Sequence, residues 1–186
     1  MKLLLITLTV LQSLFAALEQ KTLQSDFTIT MADSQSSTSA MTYSGTLAMH
    51  GKQFALEMFG MEAAYDGSTL YMYSADLNEL TLSTPSLEEL TQTNPFLYAQ
   101  ALLPICQHDE QTVGDLTQIT LTPHDPAAGI SKFVLRVANS TLLPLSAEIH
   151  EADGNTTTLR LTQAQYTYTA PAFTIEKADA YINDLR

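Results

Sequence analysis

Tyr65-Asp66-Gly67-Ser68-Thr69-Leu70-Tyr71-Met72-Tyr73 reads as the end of one strand, a tight turn and a second strand. Asp-Gly supplies the backbone that a hairpin turn demands, and the run from Leu70 to Tyr73 has the aromatic and apolar character of a strand. The same signal extends outward in both directions. Upstream, Phe27, Ile29 and Met31 alternate with Thr28 and Thr30, and a Ser-rich loop follows from Asp33 to Ala40. Met41, Tyr43, Gly45, Leu47 and Met49 alternate next, Gly51 marks a turn, and Phe54, Leu56 and Met58 form another strand. Downstream, Leu80 and Leu82 alternate with Thr81 and Ser83. A period of two places one set of side chains on each face of a sheet.

The middle of the chain breaks this rhythm. Pro85 and Ser86 precede Leu87-Glu88-Glu89-Leu90, a helix start with acids in its first turn. Asn94 then caps a second helix, with Pro95 at its first position, running Phe96 to Leu103 and stopping at Pro104. Its apolar residues surround most of its surface, so it demands cover on more than one side. An acidic turn from His108 to Gln111 leads back to strands. These are Leu116 to Leu121, Phe133 to Val137, Leu145 to Ile149, Thr156 to Leu161 after the turn Asp153-Gly154-Asn155, Tyr166 to Tyr168, and a last one at Phe173 to Ile175. The loop from Pro123 to Gly129 carries no pattern, and the tail from Asp179 to Arg186 reads as a loose end. A short helical end spans Leu18 to Ser25. The sum is about ten antiparallel strands with a helical insert, and a sheet of that size must curl to bury its inner face.

The chain has 186 residues, enough for one domain. Hydrophobic residues make up 45%, which supports a core, and only 15% are charged. The formal charge of -12 repels phosphate backbones and anionic membrane faces, so nucleic-acid binding is excluded as a function class. Cys106 stands alone and can form no internal disulfide. Met1 and Lys2 followed by the apolar run Leu3 to Leu11, then Phe15, Ala16 and Ala17, have the form of a secretory leader cut near Ala16 or Ala17. The run is too short to span a bilayer. On this reading residues 1–17 are a signal peptide and 18–186 a single domain.

No catalytic, metal or cofactor site assembles from the residues. His50, His108, His124 and His150 have no partner at metal-ligand spacing. There is no G-x-S-x-G elbow and no Gly-rich loop leading into a helix. Glu88 and Glu89 are adjacent and point to different sides of their helix. Asn139-Ser140-Thr141 and Asn155-Thr156-Thr157 fit the glycosylation pattern but read as turns. What does accumulate is a surplus of large, soft side chains on one face, which fits either a packed core or a flexible apolar cargo.

Several stretches, in order, resemble the LolA family of periplasmic outer-membrane lipoprotein carriers. LEQKTLQSDF, Leu18 to Phe27, is similar to the family's first helix running into a strand that opens on Phe. Gly45-Thr46-Leu47 resembles its G-x-L strand, and Tyr65 to Tyr73 its D-G-x-x-L-W-x-Y signature, with Tyr71 in place of the Trp. Asn94-Pro95-Phe96-Leu97 is similar to the helix start after the lid, and Phe133 to Arg160 to paired strands with an acidic turn. The resemblance covers about residues 18 to 178. It departs from the family at Leu47-Ala48-Met49-His50-Gly51-Lys52, where an arginine-proline pair that latches the lid is missing; Lys52 is displaced by one position.

The resemblance implies an incomplete, half-open antiparallel β-barrel closed by short helices. It implies a groove for lipoprotein acyl chains lined by Phe27, Leu47, Met49, Phe54, Leu56, Met58, Leu70, Met72, Leu80 and Leu82. The lid would be Phe96, Leu97, Ala101 and Leu102. A monomeric periplasmic carrier without a cofactor is expected, loaded by an inner-membrane exporter and unloaded at an outer-membrane acceptor. A sensor or protein-binding module of the same architecture, and a structural domain with a solid core, are the competing readings; an enzyme is the last.

Overall fold

The computed structural model describes residues 9–34, 40–125 and 127–186. Residues 1–8 of the expected leader and 35–39 of the Ser-rich loop lie outside the described residues, as does residue 126 in the loop before Gly129.

Twelve strands form one sheet: β1 (Thr22–Ala32), β2 (Met41–His50), β3 (Gln53–Met58), β4 (Met61–Tyr65), β5 (Leu70–Ser74), β6 (Glu79–Ser83), β7 (Cys106–Val113), β8 (Leu116–Pro123), β9 (Ile130–Ala138), β10 (Leu143–Glu151), β11 (Thr156–Thr167) and β12 (Tyr181–Asp184). Their order is β12-β6-β5-β4-β3-β2-β1-β11-β10-β9-β8-β7. Every neighbouring pair is antiparallel except β12 and β6. β7 and β12 are the free edges, so the barrel is open. The strand expected to end at Tyr65 is β4, and two strands depart from the sequence reading: the acidic stretch after Pro104 is the edge strand β7, and the tail is pinned as β12 rather than loose. Phe173 to Ile175 is not a strand.

Cross-strand register assigns the faces. Leu23, Phe27, Met49, Phe54, Tyr65 and Leu70 point inward on one half of the sheet, and Ile119, Leu121, Phe133, Leu135, Ala147 and Leu159 on the other. Curling brings the halves together into one apolar cluster shared with three helices.

The hairpin at Asp66-Gly67 forms as its residues demand. Gly67 has φ +105°. Asp66 Oδ1 accepts from the backbone N–H of Ser68 and Thr69 at 2.8 Å each, and Tyr71 donates to Asp66 Oδ2 at 3.1 Å. Desolvation pushes the Asp66 carboxyl up, but the hydrogen bonds from Thr69, Ser68 and Tyr71 hold it below its ordinary value. Tyr71 therefore ties the turn to β5 through its hydroxyl.

Gly45 has a different role. A Cβ there would lie 2.1 Å from the Glu57 carbonyl oxygen and 2.7 Å from Phe27 Cζ. The Phe27 ring lies across the glycine, which lets β1 to β3 bend tightly together.

Helix α1 (Val10–Gln20) plugs one end. Thr9 and Gln12 form a capping box, and Leu11, Leu14 and Leu18 recur on one buried face. Glu110 on β7 accepts from the Val10 and Leu11 N–H groups at 3.0 Å each. A cut at Ala16 or Ala17 removes most of this helix, including Leu11 and Leu14. After β11 the chain crosses the outer face as an extended strap, burying Phe173 and Ile175, before it pairs as β12.

Candidate functional site

The insert between β6 and β7 folds as α2 (Leu87–Thr93) and α3 (Pro95–Leu102), followed by a 3-10 turn at Leu103–Ile105. Ser86 and Glu89 make a reciprocal capping box for α2. Asn94 Oδ1 caps α3 by accepting from Phe96 and Leu97 N–H at 3.0 and 3.2 Å, with Pro95 at the first position. α3 buries Phe96, Leu97, Ala99 and Leu102, and the Tyr98 ring meets Phe133 edge-on at 6.1 Å. α2 is held less firmly: Leu90 is its one buried side chain among those described, and Leu87 is 64% exposed.

Beneath these helices lies a cavity of about 140 Å³. Phe27 and Ile29 of β1, Leu47 of β2 and Leu56 of β3 form one wall; Ala147 and Ile149 of β10 with Thr157 and Leu159 of β11 form the other. Thr91, Thr93, Pro95 and Tyr98 are the roof. The lining holds no carboxylate, ammonium, guanidinium or imidazole. Burial pushes the Tyr98 phenol above its ordinary value, so it stays neutral. An enclosed apolar cavity of about 150 Å³ holds one benzene; this hollow is of similar size, mostly apolar, and partly open, with Thr91, Thr93 and Thr157 on its border. Two larger hollows of about 520 and 620 Å³ flank the strap on the opposite face, but polar and charged groups such as Asp26, Glu57, Lys177 and Arg186 border them.

Of the residues expected to line a groove, Phe27, Leu47 and Leu56 border the cavity. Met49, Phe54 and Leu70 share that face but are spent in the packed core. Met58 packs against the rim of the same cluster, and Met72, 38% exposed, sits on that face towards the open edge. Leu80 and Leu82 belong elsewhere. Leu82 pairs with Tyr71 and Leu80 with Tyr73, which places both on the outer face, where Ile175 of the strap covers them. Phe96, Leu97 and Leu102 of the lid are buried, whereas Ala101 faces solvent and Ala99 takes the inward position. The wall from β10 and β11 was missed as lining: the alternation of Ala147 with Ile149 shows that they share a face, and only the pairing of β1 with β11 turns that face to the cavity.

No ion pair joins either lid helix to the sheet among the described residues. Lys52 is exposed in the β2–β3 turn, and Gly51 beside it donates its N–H to Leu18 of α1 at 2.7 Å. Among the described residues, no group of three or more His, Cys, Asp or Glu side chains is placed to hold a metal. No described helix is long and apolar enough to cross a membrane.

An open sheet, a two-helix lid and an apolar hollow between them define the site. Residues 18–176 match the family described as "Outer membrane lipoprotein carrier protein LolA". The chain belongs to the LolA family. Members of this family are carrier proteins of the periplasm. No match was found among curated proteins. Among solved structures, an uncharacterized conserved protein from Thermus thermophilus is similar at 11% identity and TM-score 0.63, over 95% of this chain and 99% of that one. The Pseudomonas aeruginosa MucA/MucB complex structure is similar at 18% identity and TM-score 0.51, over 88% of this chain and 57% of that one. A LolA superfamily protein from Nitrosomonas europaea aligns at 13% identity and TM-score 0.44, over 90% and 99%. At these identities the likeness to the Thermus thermophilus and Pseudomonas aeruginosa structures is one of fold alone.

Proposed function

We propose that this LolA-family chain is an exported periplasmic carrier that shelters acyl chains of lipoproteins, or of related lipids, between its sheet and lid. On this reading it accepts cargo from an inner-membrane exporter and yields it to an outer-membrane acceptor. The observation that supports it is the uncharged apolar hollow under a lid with one buried α2 anchor and no ionic latch among the described residues.

Size sets how the site works. Room for about one benzene accommodates about half a dozen carbon atoms, worth roughly 5 kcal/mol at about 0.8 kcal/mol per methylene. That seats one end of a chain, so a whole acyl group enters only if α2 swings outward. Leu90 is the contact that must be released. A weakly held lid also lets cargo leave, which a carrier requires.

Titration with a pyrene-tailed acyl ester tests this. Saturable binding is expected, lost in Leu56→Glu, which puts a charge into the cavity wall while the protein still melts cooperatively. Binding that does not saturate, or that survives Leu56→Glu, refutes the carrier site. A stable complex with a partner protein and no cargo release to acceptor vesicles assigns the chain to sensing instead.

A further inference from the structure

Five of the seven methionines, Met31, Met41, Met58, Met61 and Met72, lie on the inner face of β1 to β5. Cross-strand register joins them to the cavity wall. Met31 stands opposite Thr157, which borders the cavity, and Met41 stands opposite Met31. Met58 is the next inward position after Leu56 on β3, and Met61 stands opposite it. Leu47, Leu56, Ala63 and Met72 follow one another in a single row across β2 to β5, and the first two border the cavity. Directly opposed residues have Cβ atoms about 4.5–5.5 Å apart, so the apolar surface runs unbroken from the cavity outward. It lies open: Met31 is 42% exposed, Met41 58%, Met61 40% and Met72 38%. Tyr43, opposite the cavity residue Ile29, donates its hydroxyl to Met41 Sδ at 3.2 Å and meets the Phe59 ring edge-on at 4.6 Å. Among the described residues of β1 to β5, no Asp, Glu, Lys, Arg or His shares this face.

We propose that this methionine shelf is the outer half of the acyl site and makes the protein selective for long chains. This deepens the carrier reading and rests on it. The cavity takes about half a dozen carbons, so the remainder of a longer chain lies outside it while the lid is closed. The shelf is the uncharged surface that continues the cavity wall, and from β1 to β5 it spans about 19 Å at about 4.8 Å per strand. Soluble proteins seldom leave a continuous apolar patch bare unless it has a contact to make. Methionine is unbranched and polarizable, so a row of them follows the bends of a flexible chain without fixing its length. A methylene on an open shelf is covered on one side only and gains about half of a full burial, close to a twofold rise in affinity per carbon.

The test is calorimetric titration of the full chain with hexanoyl-, decanoyl- and myristoyl-glycerophosphocholine, each below its micelle concentration. The headgroup is constant, so affinity ratios read the acyl chain alone. In wild type the affinity should rise about ten- to twentyfold from hexanoyl to decanoyl. In the double variant Met31→Gln, Met61→Gln, which keeps side-chain length at two exposed positions but makes them polar, that ratio should fall about threefold or more; melting temperatures check that the fold persists. A second measurement needs no substitution. Bound myristoyl ligand should slow sulfoxide formation by dilute hydrogen peroxide at Met31, Met41, Met61 and Met72, as read by peptide mass mapping, and bound hexanoyl ligand should not. A decanoyl-to-hexanoyl ratio equal in wild type and variant, or methionines oxidised equally fast with and without the myristoyl ligand, overturns the inference while hexanoyl binding leaves the carrier reading standing. If none of the three ligands binds wild type, both fall together.

Discussion

Ala147→Leu separates a hollow protein from a solid one. Ala147 is buried on β10 and its side chain borders the cavity. The substitution adds three carbons to a space that holds about six. At about 0.8 kcal/mol per methylene, a ligand deprived of that room loses roughly 2.4 kcal/mol, a weakening of about fifty-fold. The protein itself gains the same contacts, so its melting temperature holds or rises. In a filled core the same change forces side chains off their rotamers and costs about 1–3 kcal/mol, which lowers the melting temperature of a chain of this size by several degrees. Differential scanning calorimetry and titration with the pyrene-tailed ester read both quantities on one sample. A lower melting temperature with unchanged affinity refutes the reasoning.

Gly45→Ala places a methyl group 2.1 Å from the Glu57 carbonyl and 2.7 Å from the Phe27 ring, so a loss of about 1–3 kcal/mol in chemical denaturation is expected. Glu110→Gln weakens the anchor of α1. Desolvation raises the Glu110 carboxyl, but hydrogen bonds from Leu11 N–H, His108 and Val10 N–H outweigh it and hold the group below its ordinary value. Its stabilisation is therefore present above the unfolded value of about 4.3 and lost as pH falls through the lowered one. The variant should melt about 2–4 °C below wild type at pH 7, for about 1 kcal/mol of lost anchoring, and the gap should close towards pH 3. The same substitution is silent if processing at Ala16 or Ala17 removes α1, so N-terminal sequencing of the protein as made in its native cells belongs with the melt.

What was legible in the sequence followed the range of the physics. Hairpin and cap signals act over a few residues, so the Asp66-Gly67 turn, the helix start at Pro85-Ser86 and the Asn94-Pro95 cap could be read directly. Gly45 could be placed in a strand but not explained, because the clash that excludes a Cβ comes from Phe27 and Glu57 on other strands. Leu80 and Leu82 show the limit of alternation: the period says that they share a face, and only the register with Tyr73 and Tyr71 says which one. β7 was concealed by its own composition, since an edge strand carries polar and charged residues that blunt pairing. The far wall of the cavity depends on β1 pairing with β11, as in Ile29 opposite Leu159, a contact too distant along the chain for any local pattern to reveal.

On the proposed reading, hydrocarbon rather than side chains fills the space between sheet and lid. Purification of the protein from its native cells, followed by mass spectrometry of what organic solvent extracts, decides the matter. Acyl-bearing lipid or lipoprotein near one equivalent per chain, sharply reduced in Ala147→Leu, is the predicted result. Protein that retains no acyl species from a membrane-rich compartment, and takes none up when offered it, contradicts the account.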